Sequence, residues 1–136
     1  MNAAQRAMTQ LLKRDQRFKL EAYVFVRDAL AFAHRAMTAE SIPDPDDEDA
    51  RHLTGQQLCE ACRLHALEQF GYLAPLVLAN WGLTTTSDFG DVVYNLIEIE
   101  HMRKSPADRR EDFDNVYSFA DAFEPKFELL APEEAS

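Results

Sequence analysis

Cysteine, glycine and tryptophan are scarce in this chain: two, four and one among 136 residues. Basic side chains are also few, 14 against 24 acidic ones. Each shortage closes off a class of protein. Cys59 and Cys62 are too few for a disulfide framework, and their spacing on a helix would strain a mutual bridge. The glycines are isolated, so no Gly-rich loop is present to cradle a phosphate. No serine or cysteine stands in a nucleophile-elbow pattern. Long hydrophobic runs are missing as well. Met1 to Arg14 has polar residues every few positions, which fits neither a signal peptide nor a membrane span, and the expected address is the cytoplasm.

What is present points to one folded domain. Apolar residues make up 46% of the chain, including nine Phe and four Tyr. A domain of this size buries roughly two-thirds of its unfolded surface, enough for a single core spanning residues 1–136. The net charge of -10 is unevenly spread. Residues 1–37 hold seven Lys/Arg against three Asp/Glu, and the rest holds seven against twenty-one. Most of the surface would therefore repel a phosphate backbone, which disfavours nucleic acid as a partner.

Helical spacing dominates. Ala3, Ala4, Ala7, Met8, Leu11 and Leu12 predict a helix over 3–14. Leu20 to Met37 is the most apolar stretch. Its polar residues Glu21, Arg27, Asp28, His34 and Arg35 form one narrow stripe, so this helix should be central and packed on by several partners. Residues 38–50 join two prolines to the run Asp46-Asp47-Glu48-Asp49 and predict a flexible acidic loop. Thr54 and Gln57 form a reciprocal capping box that starts a helix running to Phe70, with Gly71 as its C′ residue. A shorter helix, Leu73 to Trp81, tolerates Pro75 in its first turn and stops at Gly82. Thr84–Ser87 offers N-caps for a further helix to about Glu100, with Asp88 and Asp91 in its first turns, where the helix dipole favours negative charge. Between Met102 and Phe123 the aromatic residues fit neither the helix nor the strand period. Residues 132–136 read as a frayed tail.

Two helices across a short turn, Leu73–Trp81 and Thr86–Glu100, have helix-turn-helix spacing. The following bases Arg103, Lys104, Arg109 and Arg110 suggest the tip of a β-hairpin, with Met102 beside Val116–Tyr117. The expected fold is therefore mainly α, with a winged-helix-like C-terminal half and a short hairpin. The alternative is a purely helical bundle, with a helix beginning at Ser105. The would-be recognition helix carries Asp88, Asp91, Glu98 and Glu100 but no Lys or Arg, so the fold does not bring DNA binding with it.

Candidate chemistry is thin. Cys59, Cys62 and His65 could be taken for metal ligands, but structural zinc wants four, from two separated pairs. On the helical wheel both cysteines lie in the apolar arc with Leu58, Ala66 and Phe70, so the simpler reading is core packing, and no metal or cofactor is expected. His34, His52, His65 and His101 show no metal-site spacing. Asp88 and Asp91 share a face, yet their place at the helix start already accounts for them.

Several blocks of the chain together resemble a known family. They are Arg17-Phe18 with Leu20-Glu21-Ala22-Tyr23 and Phe25-Val26; Arg51-His52 with Thr54-Gly55-Gln56; Ala66 to Gly71; Trp81-Gly82; Asp88-Phe89-Gly90 with Asn95-Leu96; and Glu111-Asp112-Phe113 with Val116-Tyr117, Phe119 and Ala122-Phe123. From about Arg17 to Phe123 the sequence is similar to a family of small proteins of unknown function from planctomycetes and verrucomicrobia. Cys59, Cys62 and Pro75 depart from its pattern. The resemblance implies no activity. It directs attention to Arg51, His52, Gln56, Asp88 and Asp112 as a candidate functional surface, although capping and ion pairing also explain such residues.

The resulting expectation is a non-enzymatic protein-interaction or structural module whose partner is another protein, with no membrane contact. The alternatives are a winged-helix-like nucleic-acid binder and an enzyme with a site assembled across helices, around His52 and a carboxylate. The charge distribution yields one prediction. In a mobility-shift titration at physiological salt, generic duplex DNA should not bind below about a micromolar.

Overall fold

The computed structural model describes residues 2–40, 53–104 and 108–123, with the backbone alone for 36–40. The acidic run of the loop expected over 38–50, the tail at 132–136, and both Arg51 and His52 lie outside the described residues.

Helix α1 (Ala3–Arg14) is started by Asn2. The Asn2 side chain accepts from the Gln5 amide at 2.8 Å, and the Gln5 side chain accepts from the Asn2 amide at 3.0 Å. Leu11 is its buried anchor. Helix α2 (Leu20–Glu40) runs three residues beyond the expected end. It buries Ala22, Tyr23, Phe25, Val26, Ala29 and Ala33 and packs on both α3 and α5. Its apolar surplus is not all used, because Leu20 and Val24 stay about half exposed at 47% and 46%.

Helix α3 (Gly55–Phe70) begins at the anticipated capping box, with the Gln57 amide donating to Thr54 Oγ1 at 3.1 Å and the Thr54 amide to Gln57 Oε1 at 2.9 Å. Its buried face carries Leu58, Cys59, Cys62 and Ala66, so the cysteines are core residues. Burial pushes the Cys59 thiol up to about 12 and the Cys62 thiol well above its ordinary range. A 3-10 turn at Gly71–Leu73 leads into α4 (Ala74–Asn80), with Pro75 in the first turn.

The turn that follows α4 is the tightest spot in the chain. Gly82 has φ +97°, and its amide and that of Leu83 close onto Ala79 and Leu78 carbonyls at 3.0 and 2.9 Å. The Lys19 amide meanwhile donates to the Trp81 carbonyl at 3.1 Å, drawing the start of α2 against this turn. Helix α5 (Thr86–Glu98) is capped by Thr85 and buries Phe89, Val92, Val93 and Leu96. Phe89 stacks on Phe25 of α2 with ring centroids 6.4 Å apart.

Beyond α5 the structure corrects the winged-helix expectation. Among the described residues there is no strand, and the fold is mainly α without a hairpin. The backbone groups needed for a ladder are committed elsewhere. Glu100 takes φ +63°, and the amides of His101 and Met102 both donate to the Leu96 carbonyl, so Met102 is spent ending α5. The Val116 amide donates to Thr86 Oγ1 at 3.1 Å instead of crossing to Met102. No helix runs from Ser105 to Phe119 either. Asp108 and Arg109 are irregular, a 3-10 turn covers Arg110–Phe113, and α6 is only Phe119–Ala122. Each aromatic residue here fills a separate place. Phe113 lies on Gly90 of α5, Tyr117 donates its hydroxyl to the Cys59 carbonyl at 2.7 Å, and Phe123 is buried edge-on against Phe119.

A polar chain ties these parts together. Asp15 accepts from the Arg17 guanidinium at 2.9 and 2.7 Å and from Asn95 at 3.0 Å. The Arg17 hydrogen bonds hold its carboxyl well below the usual carboxylate range. Arg17 also reaches Asp91 at 2.9 Å, Asp91 accepts from Arg110 at 2.7 Å, and Arg110 reaches Asp114 at 2.9 Å. Arg14 pairs with Glu98 across α1 and α5.

Two glycines at positive φ make a controlled comparison. A Cβ on Gly82 would stand 2.0 Å from the Arg17 carbonyl oxygen, a backbone atom that cannot step aside, whereas one on Gly71 would meet nothing within 4 Å. Gly71→Ala should therefore lose about 1 kcal/mol from the backbone conformation alone. Gly82→Ala should lose about 3 kcal/mol or more. Urea denaturation of the two variants beside the parent protein measures both, and equal losses would contradict this reading.

Candidate functional site

Helices α2, α3 and α5 meet the irregular segment at 101–113 around a cavity of about 450 Å³. The first residues of α3 form one end, with Leu53, Gly55 and Leu58; Leu30 and His34 come from α2. Val93, Tyr94 and Ile97 line it from α5, and His101, Met102, Arg103, Asp108, Arg109 and Phe113 complete the wall. The volume is within the usual range for a small-molecule site, and the lining mixes an apolar floor with a few polar groups, as such sites do.

The segment that closes the cavity can approach only because two helix positions lack side chains. A Cβ on Gly55 would lie 2.8 Å from Asp112 Cβ, and one on Gly90 would lie 2.7 Å from Phe113 Cβ. The Arg110–Phe113 turn thus sits directly on bare helix backbone, and Arg109 and Phe113 face the cavity as a result.

Two polar side chains in this wall are unsatisfied. The Tyr94 hydroxyl and both ring nitrogens of His101 are sealed from solvent and have no hydrogen-bond partner. Leaving a buried polar group unpaired costs about 1–3 kcal/mol, so native structures seldom do it without a reason. Tyr94 is otherwise well held, with its ring edge-on to Phe113 at 6.4 Å. Burial, reinforced by the nearby Asp108, Asp112 and Glu111 carboxylates, raises its pKa and keeps the hydroxyl a donor. A neutral imidazole offers one donor and one acceptor. Together the two side chains present hydrogen-bonding capacity, beside an apolar space, that the protein itself does not use.

The residues singled out from the sequence are placed elsewhere. Gln56 is exposed on the first turn of α3. Asp88 caps α5, accepting from the Thr84 and Thr85 amides at 2.9 and 3.1 Å. Asp112 accepts from the Arg109 amide at 3.3 Å. Asp88 and Asp91 form no dyad, since Asp91 is held between two guanidinium groups. Of the histidines, His34 and His101 reach the same cavity, while His65 is buried between Phe25 and Phe32 at 5.4 and 5.5 Å. Among the described residues no group of three or more His, Cys, Asp or Glu is placed to hold a metal ion. No helix among them is long and apolar enough to cross a membrane.

The site missed by sequence reasoning had one legible signal. Gly90 stands inside a strong helix, where glycine costs about 1 kcal/mol relative to alanine. Such a glycine implies a close approach by something else in the fold, and Phe113 is that neighbour.

The unsatisfied Tyr94 hydroxyl predicts an unusual mutational response. Tyr94→Phe keeps the ring contact with Phe113 and removes only the unpaired group. It should leave the urea midpoint unchanged or raise stability by up to about 1 kcal/mol. A loss larger than about 1 kcal/mol would show that the hydroxyl is bonded in the resting protein.

No family profile, no curated protein and no solved structure matches this chain.

Proposed function

We propose that this protein binds a small molecule in the cavity between α2, α3, α5 and the 101–113 segment, in a site assembled across helices. The observation that carries this reading is the pairing of Tyr94 and His101, both buried and unpartnered, in the wall of a largely apolar cavity of about 450 Å³. A ligand head that bonds to them returns the desolvation cost that the empty protein carries. Tyrosine and histidine are also proton donors and acceptors, so the groups that would hold the ligand are those an acid–base step would use. The resemblance drawn from the sequence adds no activity to this reading. The duplex-binding alternative has lost the wing on which it stood, and Arg110 from that basic cluster is committed to Asp91 and Asp114.

Protein interaction is the second reading, and it has its own observation. Tyr72, Leu73 and Leu76 are 68%, 56% and 71% exposed around the turn into α4. A separate shallow groove is lined by Leu20, Val24, Phe70 and Trp81. Clustered exposed apolar residues favour contact with another surface.

One experiment separates the two. Neutral and charged aliphatic and aromatic fragments are titrated into methyl-labelled protein and followed by NMR. Binding in the cavity should move Leu53, Val93, Ile97 and Met102, and Ile97→Trp, which fills the space, should abolish the shifts. Shifts confined to Leu20, Val24, Leu73 and Leu76 would instead favour the interaction surface.

A further inference from the structure

The wall of this cavity also selects a class of ligand, an inference that rests on the cavity being a binding site. Charge is the first indication. The chain as a whole is acidic, 24 residues against 14, yet the cavity wall sets Arg103 and Arg109 against Asp108 alone and adds His34 and His101. A local balance opposite to the global one concentrates anions at this place and not elsewhere on the surface. The second indication is the donor set. The Tyr94 hydroxyl and one imidazole N–H of His101 are donors without acceptors. Arg109 is exposed at the wall, while the neighbouring Asp112 carboxylate bonds to its backbone amide. Hydrogen bonds to an ionised acceptor are roughly twice as strong as neutral ones. The third indication is the floor, where Leu53, Leu58, Val93, Ile97 and Phe113 offer hydrocarbon and no polar side-chain atom.

We infer that the ligand is an amphipathic organic anion, with a carboxylate-like head held by Tyr94, His101 and Arg109 and a hydrocarbon body lying over Leu53, Val93 and Ile97. A carboxylate only accepts, so it matches a hydroxyl, an N–H and a guanidinium together. An ammonium head accepts nothing from Tyr94 and meets the two arginines with like charge. An alcohol head satisfies one donor and leaves the positive rim unanswered.

Three probes of equal chain length test this: octanoate, octan-1-ol and octylamine, titrated at neutral pH and followed at the methyl groups of Leu53, Val93 and Ile97. Octanoate should bind about tenfold more tightly than either of the others. Arg109→Gln, a change at an exposed position that should leave the fold intact, should weaken octanoate severalfold and leave octan-1-ol unchanged. Equal binding of the three probes, or octanoate binding indifferent to Arg109→Gln, overturns the anionic-head inference while leaving the cavity as a binding site. Absence of binding by all three overturns both.

Discussion

Much of this structure depends on one close contact, the ring of Phe113 lying on the bare backbone of α5 at Gly90. A buried phenylalanine contributes about 2–3 kcal/mol, more than any exposed ion pair nearby can supply. The contact fixes where the Arg110–Phe113 turn sits, and Gly55 admits the same turn on the α3 side. The returning chain is therefore held as an irregular cover across the ends of three helices. A hairpin would have needed the amides of Met102 and Val116 for a ladder; here they are spent on Leu96 and Thr86. The cavity is the space that this cover leaves between itself and the helices.

The ion pairs act on direction more than on stability. Arg17 is 58% exposed and Asp91 24% exposed at the side chain, so their pairing is worth at most about 1 kcal/mol. Yet Asp15, Arg17, Asp91, Arg110 and Asp114 join the link before α2, the outer side of α5 and the covering turn in one line. Such a chain rejects alternative placements, because any other register leaves a carboxylate or a guanidinium facing its own sign. Burial of Phe113 supplies energy without much orientation, and the pairs supply orientation without much energy.

This division also explains how far the sequence could be read. Helix starts and stops are local chemistry. Thr54 with Gln57, Gly71, Gly82, and Thr85 with Asp88 each do within four residues what their side chains suggest, and the elements fall where the pattern put them. The core face of α3 was equally legible, because Cys59, Cys62 and Ala66 repeat at helical spacing. The end of the chain was not. Phe113, Tyr117, Phe119 and Phe123 fit no period because each answers to a different distant partner: Gly90, the Cys59 carbonyl, Phe89, and Tyr117 with Phe119. The basic cluster at 103–110 looked like a wing tip only while Asp91 was read as a capping residue alone. The cavity has the same character. His34 and His101 come from helices far apart in sequence, and nothing in their spacing announces that they share a wall. Arg51, His52, Gln56, Asp88 and Asp112 were chosen as polar residues in recognisable blocks. The described ones among them proved to be exposed or committed to helix and turn ends, whereas the unpartnered groups lie one step away.

The unpaired Tyr94 and His101 would be hard to understand as a purely structural arrangement. Phenylalanine at position 94 would pack as well against Phe113 without a stranded hydroxyl, and an apolar residue at 101 would avoid two stranded nitrogens. Each polar group costs about 1–3 kcal/mol where it is, in a domain whose whole stability is about 5–15 kcal/mol. Local arrangements that oppose stability while the rest of the sequence agrees with the fold are the mark of functional positions. The close approach at Gly90 and Gly55 meets the same test. Glycine weakens the interior of a helix, and here it lets a covering segment come near enough to shape a cavity with donors in its wall. The least favourable choices in the described chain, two helical glycines and two unpaired polar side chains, therefore gather at one place.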